Sequence, residues 1–126
     1  MSELVNCVFC NPNPEIIFLK NELAWARWDP SPVSDGHALF ITKRHVLNFF
    51  DATQQERIAM FELIDRAKAI IDEKYNPDGY NIGVNCGELA GQTIMHLHIH
   101  LIPRYRGDVP NPRGGVRGVI PEKQNY

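Results

Sequence analysis

The feature that most constrains this chain is a stretch in which histidine alternates with aliphatic residues, His96-Leu97-His98-Ile99-His100-Leu101-Ile102. Successive side chains of a β-strand point to opposite faces, so a strand here places three imidazoles on one face and aliphatic side chains on the other. One histidine on a strand is usually structural, but a face of three imidazoles does not supply the apolar burial of a core strand. We therefore predict that the histidine face lines a cleft.

The surrounding segments predict the other elements. Residues 15–20 and 23–28 are β-prone runs that predict a hairpin, and residues 37–42 and 80–85 alternate like further strands. The segment Thr53-Gln54-Gln55-Glu56 has the sequence of a capping box and predicts the start of one long helix, which Asn76-Pro77-Asp78-Gly79 ends. Apolar residues at helical spacing are expected to pack on the core: Ile58, Phe61, Ile64, Ala67 and Ile71.

This pattern predicts the class of fold. One helix and strands without regular βαβ alternation indicate an α+β fold, built on a largely antiparallel sheet of five strands. The length of 126 residues fits a single domain over residues 1–126. Its last part, residues 104–126, is rich in arginine, glycine and proline and is expected to form a basic tail.

Composition limits the classes of function. The chain is 44% hydrophobic with a formal net charge of -2, which is typical of a soluble globular protein. Without a basic surface, broad nucleic-acid binding is not expected. No apolar run is long enough to cross a membrane, and the residues after Met1 do not resemble a secretory signal, so we expect a cytoplasmic protein.

Two chemistries fit the histidine face. One metal ion would not easily take all three side chains, because the α-carbons of His96 and His100 lie about 13 Å apart along a strand and zinc–nitrogen bonds are about 2 Å long. Alternatively, a neutral imidazole attacks phosphorus and forms a covalent intermediate. The preceding Gly91-Gln92-Thr93 suits the second chemistry, since glycine lets the backbone approach a phosphate and the amide and hydroxyl can donate hydrogen bonds.

The histidine string resembles the signature of the histidine triad family of nucleotide hydrolases and transferases. Order and spacing agree from about Cys7 to Asp108. Some of the matching segments are similar to the fragile-histidine-triad branch, namely Ala90-Gly91-Gln92-Thr93, Pro103-Arg104 and Gly107-Asp108. Others are similar to the branch that cleaves nucleoside phosphoramidates, namely residues 29–37 and Lys43-Arg44-His45.

The resemblance implies a role for each site residue. His98 would attack the α-phosphorus and carry a transient nucleotidyl group, while His37 and His100 would contact phosphate or orient the nucleophile. Asp29 would accept hydrogen bonds from the ribose, although it also fits a residue that caps the following proline loop. The other assignments are phosphate contacts for Asn85 and Gly91, and phosphate binding with help to the leaving group for Gln92 and Thr93.

Several functions stay open at this point. The resemblance favours hydrolysis of a dinucleoside polyphosphate or a nucleoside phosphoramidate, with adenosine as the expected nucleoside; His100 favours it too, because uridylyltransferase relatives resemble the pattern with glutamine there. The alternatives are nucleotidyl transfer to phosphate or another acceptor, and a nucleotide-binding regulatory module. Mg²⁺ would suit a polyphosphate substrate by neutralising its charge. The resemblance also implies a homodimer.

A second motif concerns metal binding. Cys7-x-x-Cys10 alone fits a redox pair, a zinc site or chance. The resemblance to bacterial members and to uridylyltransferases implies a zinc ion held by Cys7, Cys10, His45 and His96, in which residues 1–12 form the N-terminal metal-binding segment. Four such ligands leave no open position, so the zinc would be structural. The alternative is a reduced, metal-free thiol pair.

Overall fold

The computed structural model describes residues 7–126, so the expected metal-binding segment is described only from Cys7 onward. Five antiparallel strands form one sheet in the order β1-β2-β3-β5-β4, and one long helix covers it, which confirms the α+β prediction. The elements are β1 (Ile17–Lys20), β2 (Ala24–Trp28), β3 (Ala38–Thr42), α1 (Gln54–Tyr75), β4 (Gly79–Gly83) and β5 (His98–Arg104). No helix within the described residues combines the length and the apolar character of a membrane span.

The central strand β3 separates two packed regions. All five of its residues are buried. Ala38 and Phe40 belong to the main core, whereas Leu39 and Ile41 pack with Phe9 on the opposite face of the sheet. The sheet therefore has a helix face and a second face, and the second face carries the site described below.

The helix α1 begins and ends where the sequence predicts. The hydroxyl of Thr53 accepts a hydrogen bond from the backbone N–H of Glu56, and the Glu56 carboxylate accepts one from the N–H of Thr53, which is the reciprocal capping box. The helix ends at Asn76, whose φ of 51° is left-handed, a conformation that asparagine tolerates.

The predicted apolar stripe of α1 is only half right. Ile64, Ala67 and Ile71 are buried, but Ile58 is 57% exposed and Phe61 is 48% exposed. The buried positions on the first half of the helix are instead Glu56, Ala59, Met60 and Leu63. Both sets have helical spacing, so the period identifies a helix without deciding which of two adjacent stripes faces the sheet.

The strand that carries the histidines starts later than predicted. It begins at His98, not at His96, because the backbone before it bonds to the loop after β3: the N–H of Leu97 donates to the carbonyl of Val46 at 2.8 Å. The predicted strand over residues 80–85 likewise ends at Gly83. Only two of the three histidines therefore stand on the strand itself.

The C-terminal residues fold back on the body of the protein. Arg104 donates two hydrogen bonds to Asp108 and one to Asn81 of β4. Farther along, the guanidinium carbons of Arg113 and Arg117 lie 5.1 Å and 4.6 Å from the centre of the Tyr126 ring. The arginines of the tail are thus used largely in contacts within it.

Candidate active site and metal centre

A cavity of about 460 Å³ opens on the sheet face opposite α1. It is lined by six of the residues expected at the site: Asp29, Asn85, Gly91, Thr93, His98 and His100. Phe9, Leu39 and Arg27 are among the other residues that line it. Two expected residues, His37 and Gln92, are not part of the lining. The volume suits a small-molecule ligand.

Hydrogen bonding determines which nitrogen of His98 is free. Its Nδ1 lies 2.8 Å from the backbone carbonyl of His96. A carbonyl only accepts, so Nδ1 carries the proton and Nε2 of the neutral ring keeps its lone pair. Burial lowers the pKa of His98, against the opposing effects of this hydrogen bond and of Asp29. The ring is therefore neutral near neutral pH, with an unprotonated nitrogen that can attack an electrophile.

His37 and His100 form a second hydrogen-bonded arrangement. The N–H of Val33 donates to Nδ1 of His37 at 3.1 Å, so the proton of a neutral His37 lies on Nε2. That nitrogen is 2.9 Å from Nδ1 of His100 and 3.5 Å from a carboxylate oxygen of Asp29. Burial, with the nearby His98 and His37, lowers the pKa of His100 to about 4. A neutral His100 that accepts at Nδ1 carries its own proton on Nε2.

Asp29 serves its loop and also lines the cavity. One of its oxygens accepts a hydrogen bond from the N–H of Ser31 at 2.8 Å, as the loop-capping alternative requires. The other oxygen is the one near His37. With His37 and His100, Asp29 also forms a cluster whose ligand atoms lie within 4.8 Å of one another, but the hydrogen bond between the histidines accounts for it. Its contact with a ribose stays a prediction.

The loop between β4 and β5 folds around Gln92. This side chain is buried; its amide N–H groups donate to the carbonyls of Leu47 at 2.7 Å and Ile94 at 3.1 Å, and its oxygen accepts from the N–H of Gly87 at 2.9 Å. Gly91 has a φ of 97°, which favours glycine. Gln92 thus holds the loop that presents Thr93, and its contact with a phosphate stays a prediction.

Beside the cavity, two thiols and two imidazoles converge. The ligand atoms of Cys7, Cys10, His45 and His96 all lie within 4.8 Å of one another. Nδ1 of His96 is 3.4 Å from both sulfur atoms, and Nδ1 of His45 is 3.1 Å from the sulfur of Cys10. In a tetrahedral zinc site the bond lengths imply sulfur–nitrogen distances of about 3.5 Å. The four side chains therefore fit a zinc ion.

The orientation of His96 also agrees with a metal at this cluster. Nε2 of His96 lies 2.8 Å from the carbonyl of Thr42, to which it must donate, so the lone pair of Nδ1 faces the thiols. Burial, and then the neighbouring Cys7, raise the pKa of Cys10 to about 11. Without a metal this thiol therefore stays protonated near neutral pH, and a bound cation would lower its pKa by stabilising the thiolate.

Sequence reasoning missed two polar residues of the cavity lining, Arg27 and Ser31. Arg27 lies on β2 two residues after Trp25, on the same face of the strand, and an arginine in an otherwise apolar strand was the available signal. Of the aromatic residues near the sheet, Phe9 lines the cavity. Phe18 and Trp28 instead stack on each other at 3.8 Å between ring centres and pack against the main core.

Comparisons with known proteins agree with this geometry. The family model described as HIT domain matches residues 11–107. A Bis(5'-adenosyl)-triphosphatase from Dictyostelium discoideum is 37% identical over 95 residues, covering 75% of this chain and 64% of that protein. Protein hit from Bacillus subtilis is 35% identical over 108 residues, covering 82% of this chain and 74% of that protein.

Solved structures show the same fold. A HIT family protein from Bacillus anthracis superimposes with a TM-score of 0.76 at 36% identity, covering 82% of this chain and 76% of the other. A Zn-bound histidine triad family protein from Mycobacterium smegmatis gives a TM-score of 0.76 at 31% identity, covering 86% and 81%. Since the family model spans the sheet, the helix and the histidines of the cavity, this chain belongs to the HIT family.

Proposed function

We propose that the protein is a nucleotide hydrolase that cleaves a nucleoside 5′-phosphate derivative at the α-phosphorus and releases a nucleoside monophosphate. One observation carries the proposal. The hydrogen bond from Nδ1 of His98 to the carbonyl of His96 leaves Nε2 unprotonated on a ring that lines the cavity. The names of relatives, among them Bis(5'-nucleosyl)-tetraphosphatase [asymmetrical] from Schizosaccharomyces pombe, support hydrolysis of a dinucleoside polyphosphate.

The proposed reaction has two displacements at one phosphorus. In the first, the lone pair of His98 Nε2 forms a phosphorus–nitrogen bond, and the leaving group departs with the electron pair of its own bond to phosphorus. In the second, water forms a phosphorus–oxygen bond and loses a proton. The phosphorus–nitrogen bond breaks, and its electron pair returns to Nε2. The positive charge that develops on the His98 ring in the first step is stabilised by the hydrogen bond from Nδ1 to His96.

The neighbouring side chains suit the charge of the phosphoryl group. A neutral His100 carries a donor on Nε2, and its orientation is held by the hydrogen bond with His37. Thr93 and Asn85 supply further polar groups on the cavity wall. We propose that these residues bind the phosphate oxygens, that Gln92 acts with Gly91 by shaping the loop, and that Asp29 binds the ribose.

We further propose that Cys7, Cys10, His45 and His96 hold a structural zinc ion. When bound, zinc would link the thiolates to the two imidazoles without a free position for water. The consequence for this chain is positional: His96 belongs to the cluster through its ring and orients His98 through its carbonyl. A zinc-bound relative is consistent with this assignment.

The remaining expectations are proposals of the same kind. Adenosine is named in the substrate of one relative and is therefore the first nucleoside to test. Mg²⁺ would accompany a substrate with several phosphates.

We propose a cytoplasmic location because the cysteines are unpaired and a metal-binding pair must be reduced. We propose a homodimer through the helix because Ile58 and Phe61 are exposed apolar residues on α1.

The test is chromatographic product analysis. Wild-type protein, His98→Ala and His98→Gly are incubated with diadenosine triphosphate, diadenosine tetraphosphate and adenosine 5′-phosphoramidate, with and without added imidazole. We expect AMP from the wild type, a loss of several orders of magnitude in both variants, and partial recovery of His98→Gly by imidazole, which can replace the missing nucleophile.

Other outcomes separate the alternatives. If no AMP is released, and the adenylyl group is instead found on added inorganic phosphate as ADP, the protein is a nucleotidyltransferase with the same intermediate. If no substrate turns over although nucleotides bind, the hydrolase proposal fails and a nucleotide-binding regulatory module becomes the better account. Turnover by His98→Ala at the wild-type rate would exclude His98 as the nucleophile.

A further inference from the structure

Arg27 has an unmet hydrogen-bonding capacity inside the cavity. Its side chain is only 7% exposed, and it lines the same cavity as His98 and His100. The Nε atom is buried and meets no hydrogen-bond partner within residues 7–126. In that part of the chain no ion pair of Arg27 is found either. The protein therefore buries a guanidinium whose Nε–H has no acceptor within the described residues.

A buried donor without a partner is costly, and a buried charge more so. One face of the Arg27 guanidinium is covered, since its central carbon lies 5.3 Å from the centre of the Phe9 ring. Contact with a ring face leaves the N–H groups at the edge of the guanidinium without acceptors. A ligand that brings acceptor atoms to this edge would satisfy them, and the guanidinium suits two adjacent acceptors.

The position of Arg27 relative to the histidines limits which part of a nucleotide it could meet. Arg27 pairs with Leu39 on β3, and Leu39 pairs with His100 on β5, so the α-carbons of Arg27 and His100 are about 10 Å apart across two strand spacings. The Phe9 ring contacts both residues, with its centre 5.3 Å from the guanidinium carbon of Arg27 and 4.9 Å from the centre of the His98 ring. A nucleotide with its phosphorus at His98 and its base over the apolar surfaces of Phe9 and Leu39 would bring that base to Arg27.

On this basis, and resting on the proposed function, we propose that Arg27 is a specificity-determining residue that donates hydrogen bonds to the base and selects 6-oxopurines, the guanine and hypoxanthine nucleotides. These bases carry adjacent acceptors at O6 and N7, which arginine binds in a bidentate manner. Adenine has an amino group at C6. This group donates hydrogen bonds, as the guanidinium does, so the two cannot bond to each other. The proposal thus departs from the adenosine expected by resemblance.

The test measures equilibrium binding without turnover. The affinities of AMP, GMP and IMP are determined by calorimetry for the wild-type chain, Arg27→Leu, Arg27→Lys and the control Arg66→Leu, which removes an exposed arginine of α1. We expect GMP and IMP to bind the wild type and the control roughly tenfold or more tighter than AMP, as a bidentate contact provides. Arg27→Leu should abolish that preference, and Arg27→Lys should reduce it because lysine lacks the planar fork.

Two results would overturn the proposal. In the first, the wild type binds AMP as tightly as GMP and IMP, a result that stands even if every Arg27 variant misfolds. In the second, Arg27→Leu weakens the three nucleotides equally while leaving guanosine unaffected, which assigns Arg27 to phosphate. The proposed hydrolysis is tested separately by His98→Ala. A protein that hydrolyses its substrates through His98 but shows no preference among the bases would reject only the role of Arg27.

Discussion

At the scale of single residues, backbone hydrogen bonds assign a different state to each histidine of the site. His98 donates from Nδ1 to a carbonyl, His96 donates from Nε2 to another, and His37 accepts at Nδ1 from a backbone N–H. The hydrogen-bond partner of one ring nitrogen thus decides what the other nitrogen of each histidine can do: attack an electrophile, bind a metal or orient a neighbour.

The lowered pKa of these histidines predicts how stability depends on pH. The pKa of His100 falls from 6.5 to about 4 on folding, so the unfolded chain binds more protons between these values. Its contribution to stability is complete above about pH 6.5 and is lost as the pH falls toward about pH 4. We expect the midpoint of urea unfolding to fall less for His100→Gln than for the wild type between about pH 7.5 and about pH 5.

The measurement is made with a chelator present throughout, so that release of a metal at low pH does not contribute. Lys123→Gln, an exposed change in the tail, is the control and should follow the wild type. An equal loss of stability in His100→Gln and the wild type would contradict the assignment.

His98 and His100 could be predicted to lie on one face of a strand because histidine occupies every second position of a segment with strand alternation. Arg27 and Phe9 could not be assigned in the same way. Whether an inward-facing residue lines a cavity or the core depends on which segments cover it, and Phe9 reaches this face from a segment far from β2 and β5 in the sequence. Tertiary packing, not local pattern, decides those two roles.

At the scale of elements, the loop from Val84 to Leu97 is the least regular part of the site and depends on one buried amide. Gln92→Ala removes partners from the N–H of Gly87 and from the carbonyls of Leu47 and Ile94. We expect a loss of about 1–3 kcal/mol in the free energy of unfolding for the unmet buried groups. Chemical denaturation measures it, with Gln55→Ala at an exposed position of α1 as the matched control. A change no larger than in the control would show that solvent replaces these hydrogen bonds.

The sequence identified the type and the ends of α1, since its caps are local. It did not identify the buried side of the first two turns, because Ile58 and Phe61 continue the apolar spacing as well as Met60 and Leu63 do. Exposed apolar side chains along one stripe of a helix are typical of an association surface.

That surface provides a prediction about assembly. Phe61→Glu places a charge on the exposed stripe of α1 and should convert a dimer to a monomer, as a buried unpaired charge opposes association. Sedimentation equilibrium measures the mass. Val116→Glu, at an exposed position in the tail, is the control. A wild-type chain that sediments as a monomer would remove the proposed homodimer.

At the scale of the whole molecule, the cluster of thiols and imidazoles connects the N-terminal segment to the loop after β3 and to the segment just before β5. Cys7 and Cys10 come from the first of these, His45 from the second and His96 from the third. A ligand that binds only the folded state stabilises it, by about 2.7 kcal/mol when its free concentration is a hundred times its dissociation constant.

We therefore expect metal removal to lower the melting temperature of the wild type. A chelator such as EDTA should lower Tm and activity together, and added Zn²⁺ should restore both. Cys10→Ser should start from the lower Tm and respond little to the chelator, whereas Cys86→Ser, outside the cluster, should respond like the wild type. A wild type whose purified form contains no metal and whose Tm is unaffected by EDTA and Zn²⁺ would leave the reduced, metal-free thiol pair as the account.

The double use of His96 affects how mutational data on this protein will appear. Its ring faces the thiols, and its carbonyl accepts a hydrogen bond from Nδ1 of His98. A change in the thiol cluster that moves His96 therefore also affects the orientation of His98. In a saturation scan scored by turnover, substitutions at positions 7, 10 and 45 will group with those at position 98, although none of the three would touch phosphorus. A parallel scan scored by abundance would separate them, since destabilised cluster variants are depleted and variants of the nucleophile persist.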